Sequence, residues 1–174
     1  MLKALVFILL LTCCSIEAQE INWMKFEEAL IQNASSPKPF LIDFYTVWCG
    51  PCRMMNQNTF GNPEVATYVN EHFYAIKFNA EGQDTVRIGE QLILNPGYNS
   101  SKAHSRNSTH NLTKMLAPVN GGIAYPTTVF LNEKLEVITP VQGYIPPKEF
   151  GVMLRFIAEE AYKSESWQSF SQKL

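Results

Sequence analysis

Hydrophobic and polar positions alternate in blocks that predict helices and strands in a regular order. In residues 22–31 the apolar positions recur at three- and four-residue spacing, which predicts a helix. A nearly continuous apolar run at 40–45 has the length of a strand, and such a run is typical of a strand buried on both faces. Further helices are predicted at 53–59 and 63–72 and a strand at 73–78. This order indicates a βαβ unit with parallel strands.

The second half of the chain is less regular but ends in clear elements. Residues 85–88 and 91–94 flank Gly89-Glu90, which favours a tight hairpin over the alternative of a helix. The remaining predictions are a loop at 95–107, a short helix at 109–116, a hairpin of strands 127–131 and 135–138, and a final helix from Pro147 with Phe150, Leu154, Ile157 and Ala161 on its inner side. The polar tail from Ser164 is expected to pack weakly or fray, and one domain accounts for the chain.

Composition removes two classes of protein from consideration. Hydrophobic residues make up 46% of the 174 residues, so the chain can build an ordinary core and is not disordered as a whole. The formal net charge is -2 and no long run of one sign occurs, which argues against binding to nucleic acid.

Residues 1–18 have the layout of a secretory signal peptide. Lys3 supplies a positive charge, an apolar run follows, and Ala18 precedes a cleavage point, which makes residues 19–174 the mature domain. A lipoprotein signal with Cys13 or Cys14 as the lipidated residue is a second interpretation. A retained membrane anchor is a third, although the apolar run is shorter than the ~20 residues that span a bilayer.

After cleavage of this signal, two of the four cysteines remain, and they form Cys49-Gly50-Pro51-Cys52 between a strand and a helix. Two sulfurs three residues apart in a first helical turn can close a small disulfide ring. Free N–H groups at the helix start favour a thiolate, so we expect Cys49 to be the exposed nucleophile with a lowered pKa. Cys52 is expected to be more buried and to resolve a mixed disulfide.

A zinc site is the alternative use of such a cysteine pair. It needs two more ligands, and the chain has only the histidines His72, His104 and His110 and no second cysteine pair in the mature domain. We therefore expect no metal.

The segment Trp48-Cys49-Gly50-Pro51-Cys52 resembles the active site of thioredoxins, and three other positions match that family. They are Asp43, Lys77 and Tyr125-Pro126, which are similar to the buried aspartate, the neighbouring-strand lysine and the cis-proline segment. Residues 58–73 resemble the exported thioredoxin-like branch, which includes the C-terminal domain of DsbD. The resemblance implies an α/β thioredoxin fold, with a central mixed β-sheet flanked by helices.

Roles for single residues follow from the resemblance. Asp43 would be a base with a raised pKa that takes the proton of Cys52, and Lys77 would pair with Asp43 and tune it. The substrate-binding set would be Trp48, Gly50, Pro51, Tyr125 and Pro126, and Gly143 would let the chain pass close to the site. The plainer alternatives are a turn cap for Asp43, a trans bond at Pro126 and a solvated side chain for Lys77.

Extra residues before the cis-proline segment, about 82–108, distinguish the chain from a minimal thioredoxin; we call them the insertion. The insertion either shapes a partner surface or is a tolerated surface loop. Four Asn-x-Ser/Thr patterns would be glycosylated only in a eukaryote, and the leader favours a bacterium: Asn33, Asn99, Asn107 and Asn111.

The resemblance implies an exported, periplasmic thiol–disulfide oxidoreductase with no cofactor beyond the Cys49–Cys52 disulfide. Gly50-Pro51 is similar to the dipeptide of reducing members, which favours reduction of disulfides in exported proteins. Such a reductase would need a membrane electron donor, would contact the membrane itself only if lipidated, and is expected to be a monomer. The alternatives are an oxidase or isomerase, and a binding module without turnover.

Overall fold

The computed structural model describes residues 19–173. The predicted signal peptide, with Cys13 and Cys14, lies outside the described residues. None of the helices found between residues 19 and 173 combines the length and the apolar character that crossing a bilayer requires.

A four-stranded mixed sheet forms the centre of the molecule. Its strands are β1 (Phe40–Tyr45), β2 (Tyr74–Asn79), β5 (Thr127–Leu131) and β6 (Val137–Gln142), and they lie in the order β2-β1-β5-β6. Strand β1 runs parallel to β2 and antiparallel to β5, and β5 is antiparallel to β6. This arrangement confirms the predicted α/β class with a mixed central sheet.

Helices cover both faces of the sheet. They are α1 (Phe26–Ser35), α2 (Gly50–Met54), α3 (Pro63–His72), α4 (Asn111–Leu116), α5 (Pro147–Ala158) and α6 (Trp167–Ser171). A π-helix at Met55–Phe60 continues α2, and single 3₁₀ turns lie at Ser100–Lys102 and Ala161–Lys163.

The alternation of side chains along β1 divides the core into two clusters. Leu41 packs into the cluster under α3 and α5, whereas Phe40 and Ile42 pack into the cluster under α1 and α4. The predicted burial of this strand on both faces is therefore confirmed, and the sheet has little freedom to shift register.

The hairpin in the insertion is confirmed. It consists of β3 (Val86–Ile88) and β4 (Gln91–Ile93), which pair antiparallel. Gly89 lies between them with φ of +60°, a left-handed conformation that glycine adopts without a steric penalty. The hairpin contacts α1 through the backbone N–H of Arg87, which donates to the Glu27 carboxylate at 2.8 Å.

Several predicted boundaries differ from the structure, and three of the differences have a clear physical cause. Helix α1 begins at Phe26 rather than residue 22, because Met24 pairs with Ile76 and its N–H donates to the Ala75 carbonyl at 2.9 Å. Strand β6 begins at Val137 rather than Leu135, since Leu135 has a turn conformation with φ of +66°. The last helix ends at Ala158, so Ala161 lies in the 3₁₀ turn that follows.

Of the two expectations for the polar tail, weak packing and fraying, the structure shows packing. Residues Trp167–Ser171 form α6, which packs on α5, and Phe170 is only 7% exposed. The aromatic ring of Phe156 lies 5.2 Å from the ring of Phe170 and 5.6 Å from that of Trp167. The tail packs because α5 presents an aromatic residue to it.

Both edges of the sheet are partly closed. The Met24 bridge to Ile76 lies along the outer edge of β2. At the opposite edge, β6 contains Pro140 opposite Val129 of β5, and proline has no N–H to offer to a further strand.

Candidate active site

The two motif cysteines are joined by a disulfide at the start of α2. Their Cα atoms are 5.3 Å apart, and Cys49 is the N-cap of the helix. The backbone N–H of Cys52 donates to the Cys49 sulfur at 3.1 Å. Pro51 lies in the first turn, where its missing N–H has no intrahelical partner to lose. The local sequence therefore aims free helix N–H groups at Cys49, as expected.

The expected difference in exposure between the two cysteines is wrong for this oxidised form. Cys49 is 3% exposed and Cys52 is 7% exposed, so both are buried. We attribute the cover over Cys49 to its neighbour Trp48, whose ring meets the ring of Tyr125 edge-on with centroids 6.0 Å apart. Trp48, one member of this aromatic pair, directly precedes Cys49 in the chain.

Asp43 lies in the middle of β1 and is only 2% exposed. Its side chain lines a pocket of about 340 Å³ together with Cys52 and Lys77. Burial raises the pKa of Asp43 to about 7, and the positive charge of Lys77 opposes that rise. Oδ1 of Asp43 has no hydrogen-bond partner among the described residues. A buried carboxyl with a pKa near neutrality, beside Cys52, can accept a proton at physiological pH.

Lys77 faces Asp43 across the β1–β2 pairing but does not bond to it directly. Its amine donates instead to the side chain of Asn56. The same amine lies 5.4 Å from the ring centroid of Trp23 and 5.6 Å from that of Tyr45. These partners hold the amine, so Lys77 acts on Asp43 through its charge, which lowers the pKa of that carboxyl in the direction expected from the sequence.

The bond between Tyr125 and Pro126 is cis in the structure. Pro126 directly precedes β5, whose first residue Thr127 pairs with Phe44 near the end of β1. The cis-proline segment and the cysteine loop therefore lie at the same end of the two central strands, and the contact between the Trp48 and Tyr125 rings joins them.

Gly143 acts differently from the expectation that it allows a close approach. No atom lies within 4 Å of the position that its Cβ would occupy, so space does not require glycine. Its φ of +97° does, and its N–H donates to the Pro126 carbonyl at 2.8 Å. Glycine is needed for the backbone turn that holds the cis-proline.

Sequence reasoning missed a group of residues beside Trp48. The indole N–H of Trp48 donates to the Glu81 carboxylate at 2.8 Å, and the same oxygen accepts the backbone N–H of Asn107 at 2.8 Å. The guanidinium carbon of Arg106 lies 4.2 Å from the Trp48 ring centroid. The last residues of the insertion thus rest on the tryptophan of the motif.

A signal for Glu81 was present in the sequence, whereas none was present for Arg106. Glu81 closely follows β2, and the carboxyl ends of parallel strands meet at one edge of a sheet. Arg106 follows an irregular loop, so no periodicity predicts its position.

The three histidines do not gather around the cysteine pair. His110 is the N-cap of α4, where it accepts the Leu112 N–H at 3.0 Å and bonds the Asp84 carbonyl at 2.8 Å. His72 lies beside Tyr68 on α3. Within residues 19–173, no group of three or more potential metal ligands occurs.

A Cys-x-x-Cys pair at the start of a helix, with a cis-proline at the same end of the central strands, defines the class of thioredoxin-fold proteins. The thioredoxin-like domain model matches residues 26–158, so the chain belongs to the thioredoxin-like family. The family membership and the cysteine pair together give a thioredoxin-like disulfide oxidoreductase fold.

Curated relatives match over part of their length. A thioredoxin-like protein of Synechocystis is 73% identical over 59 residues, which are 34% of this chain and 53% of that protein. A chloroplastic thioredoxin Y of Oryza sativa is 42% identical over 83 residues, 48% of this chain and 46% of that protein. The chain thus spans about half the length of these relatives.

Two solved structures share the fold over most of the chain. The DsbH oxidoreductase is 17% identical, with a TM-score of 0.53 over 92% of this chain and 96% of that chain. A candidate disulphide-isomerase of Bacteroides thetaiotaomicron is 27% identical, with a TM-score of 0.53 over 86% of this chain and 99% of that chain.

Proposed function

We propose that the protein is an exported thiol–disulfide reductase that acts on disulfides of exported proteins through Cys49 and Cys52. The observation that carries the proposal is the disulfide at the N-terminus of α2 with Asp43 in the pocket behind Cys52. A binding module without turnover has no need for a buried base beside the second sulfur.

The reaction begins with the reduced dithiol. The Cys49 thiolate attacks one sulfur of the substrate disulfide, which breaks that bond, forms a mixed disulfide and releases the first substrate thiolate. Asp43 then takes the proton of Cys52, whose sulfur attacks the Cys49 sulfur, breaks the mixed disulfide and releases the second substrate thiolate. Two electrons have passed to the substrate, and the Cys49–Cys52 disulfide of the structure is the product state.

A dithiol donor must return the two electrons before the next turnover. In an oxidising compartment this donor has to be dedicated to the protein, and we propose a membrane protein with a dithiol of its own. The proposed cleavage after Ala18 releases the domain into that compartment as a free monomer. Sequencing of the mature N-terminus tests the location: Gln19 supports release, and a lipidated Cys13 or Cys14 supports an anchored form.

The direction of the reaction is tested by the reduction potential of the Cys49–Cys52 pair in glutathione or dithiothreitol buffers. We expect a value near the about -270 mV of thioredoxin. A value close to the about -120 mV of a strong oxidant would contradict the reductase. Insulin reduction should accompany the low potential, and Cys49→Ser should abolish it.

Disulfide isomerase is the second candidate. The similarity to the Bacteroides protein over 86% of this chain favours it. Recovery of activity from scrambled ribonuclease, with a potential between the two values above, would support the isomerase over the reductase.

A further inference from the structure

The end of the insertion is fixed to the active site through Glu81. This carboxylate is only 9% exposed, and one of its oxygens accepts both the Trp48 indole N–H and the Asn107 backbone N–H. Asn99 and Asn107 also exchange two hydrogen bonds, at 2.9 and 2.8 Å. The position of Arg106, next to Asn107, is therefore held by the fold.

Arg106 presents a cation at the outer face of Trp48. Its guanidinium carbon stacks 4.2 Å from the ring centroid, and the residue is exposed. Across residues 19–173 it forms no salt bridge with a carboxylate. Stacking on an aromatic face leaves the N–H groups at the edge of the guanidinium free to bind an anion.

Arg53 supplies a second cation at the other side of the motif. Its Nη2 lies 3.9 Å from the position that a Cβ atom on Gly50 would occupy, so its guanidinium reaches back over the cysteine loop. Arg53 is exposed and, in the described part of the chain, also lacks a salt bridge. Two uncommitted guanidinium groups therefore flank the disulfide.

The surface around the disulfide carries a positive charge, whereas the whole chain carries a negative one. Lys77 adds a third cation, held by Asn56 in the pocket that Arg53 also lines. Two carboxyls lie near these three cations: Glu81, which accepts two N–H donors, and Asp43, which is only partly ionised at neutral pH because burial raises its pKa to about 7. The protein carries a net charge of -2, yet the approach to its disulfide is cationic.

We infer that Arg53 and Arg106 are specificity-determining residues, which select substrate segments carrying carboxylate side chains beside the disulfide. The inference rests on the proposed function and names its substrate class. A guanidinium binds a carboxylate through two parallel N–H donors, so two such groups on either side of Cys49 read the residues flanking a substrate cysteine. Arg106 is joined to the aromatic pair of Trp48 and Tyr125, because its guanidinium stacks on the Trp48 ring.

The test uses two synthetic peptides, each with one internal disulfide and identical except for Glu or Gln beside the cysteines. Pre-reduced protein reduces each peptide in a single turnover, so no electron donor is required. We expect the Glu peptide to react ~10-fold faster at low salt, with the ratio falling toward one in 0.5 M salt because screening weakens exposed charge pairs.

The variants assign this preference to the two arginines. Arg53→Gln and Arg106→Gln should each lower the ratio ~3-fold, and the double variant should abolish it. Arg53→Lys and Arg106→Lys should retain part of it, because the charge remains without the planar fork. Arg87→Gln is the matched control, since Arg87 lies in the same insertion but its strand contacts α1; its ratio should equal that of the wild type.

The outcomes separate the inference from the function on which it rests. If the protein reduces neither peptide while dithiothreitol reduces both, the proposed reductase fails. If it reduces both at equal rates, or if the double glutamine variant keeps the preference, the reductase stands and the role of the arginines is overturned. Should the double glutamine variant not fold, the lysine variants and the salt dependence decide.

Discussion

Asp43 is the residue at which function and stability conflict most directly. It lies in an apolar strand, its pKa is raised from the ordinary value of 3.8 to about 7, and burial is the main cause. Folding therefore favours the protonated form, and ionisation of the carboxyl in the folded protein costs free energy. The same rise in pKa makes the residue a suitable base at neutral pH.

Replacement of Asp43 by Asn should change how stability depends on pH. With a folded pKa above the unfolded one, the contribution of Asp43 is fully present below pH 3.8 and is lost as the pH rises through about 7. The full difference corresponds to ~4 kcal/mol at high pH. This loss should be absent from Asp43→Asn. Its free energy of unfolding should therefore fall less between pH 5 and pH 8 than that of the wild type, as measured by urea unfolding of the oxidised proteins. An exposed aspartate offers the control, since Asp84→Asn should keep the wild-type dependence.

The same Asp43 variant should be slower although it is more stable at pH 8. Loss of a positioned base typically costs about 100-fold or more, and the affected step is release of the mixed disulfide by Cys52. Rapid-mixing kinetics of pre-reduced protein with a peptide disulfide measures it. An unchanged rate for release of the second thiol would show that water, rather than Asp43, takes the proton.

Two glycines offer a matched pair of substitutions with opposite expected signs. Gly143 has φ of +97°, so Gly143→Ala should cost about 1–3 kcal/mol of backbone strain. Gly151 lies inside α5 with open space at its Cβ position, so Gly151→Ala should add up to about 1 kcal/mol. Thermal unfolding of both variants decides, and two changes of equal sign would contradict the backbone argument.

At the scale of elements, the sequence predicted those helix and strand boundaries that depend on neighbouring residues. The bounds of β1, α3 and β5 agree with the prediction to the residue, because an apolar or periodic run lies beside proline or a cap in each case. The start of α1 could not be predicted in this way, since it depends on Met24 pairing with β2, far away in sequence. The packing of α6 likewise depends on Phe156, which belongs to another helix.

The contribution of α6 can be measured through Phe170. Its ring is buried against Phe156, so Phe170→Ala should lower the free energy of unfolding by about 3 kcal/mol through lost burial and a residual cavity. Gln168→Ala changes an exposed residue of the same helix and should have almost no effect. Equal effects of the two variants in urea unfolding would mean that α6 does not pack in solution.

At the scale of the whole molecule, the candidate site combines predictable and unpredictable parts. The cysteine pair could be located from a spacing that has a chemical reason, and Asp43 and the cis-proline segment from the resemblance to thioredoxins. The position of Glu81 after β2 could place it near the site, but its hydrogen bond to Trp48 and the cation–π contact of Arg106 could not be predicted, because contacts between distant residues leave no periodic pattern in the sequence. The part of the site that distinguishes this chain is thus the part that depends on tertiary structure.

The sheet edges bear on how the molecule behaves toward copies of itself. Pro140→Thr would add an N–H to the edge strand β6, whose first residue Val137 is exposed. We expect the wild type to sediment as a monomer at high concentration and P140T to associate. Association of the wild type with none added by P140T would contradict this account.

Pro140 on the outer strand β6 and the Met24 bridge on the outer strand β2 also affect how long complexes with other proteins last. Strand addition at a free edge gives long-lived assemblies, whereas pairing beside a cis-proline involves only a few residues. A protein whose two outer strands are partly closed, and which binds clients at the cysteine loop, is expected to exchange those clients quickly. Limited strand addition at the outer strands thus favours short-lived complexes with many substrate proteins over long-lived complexes with a few.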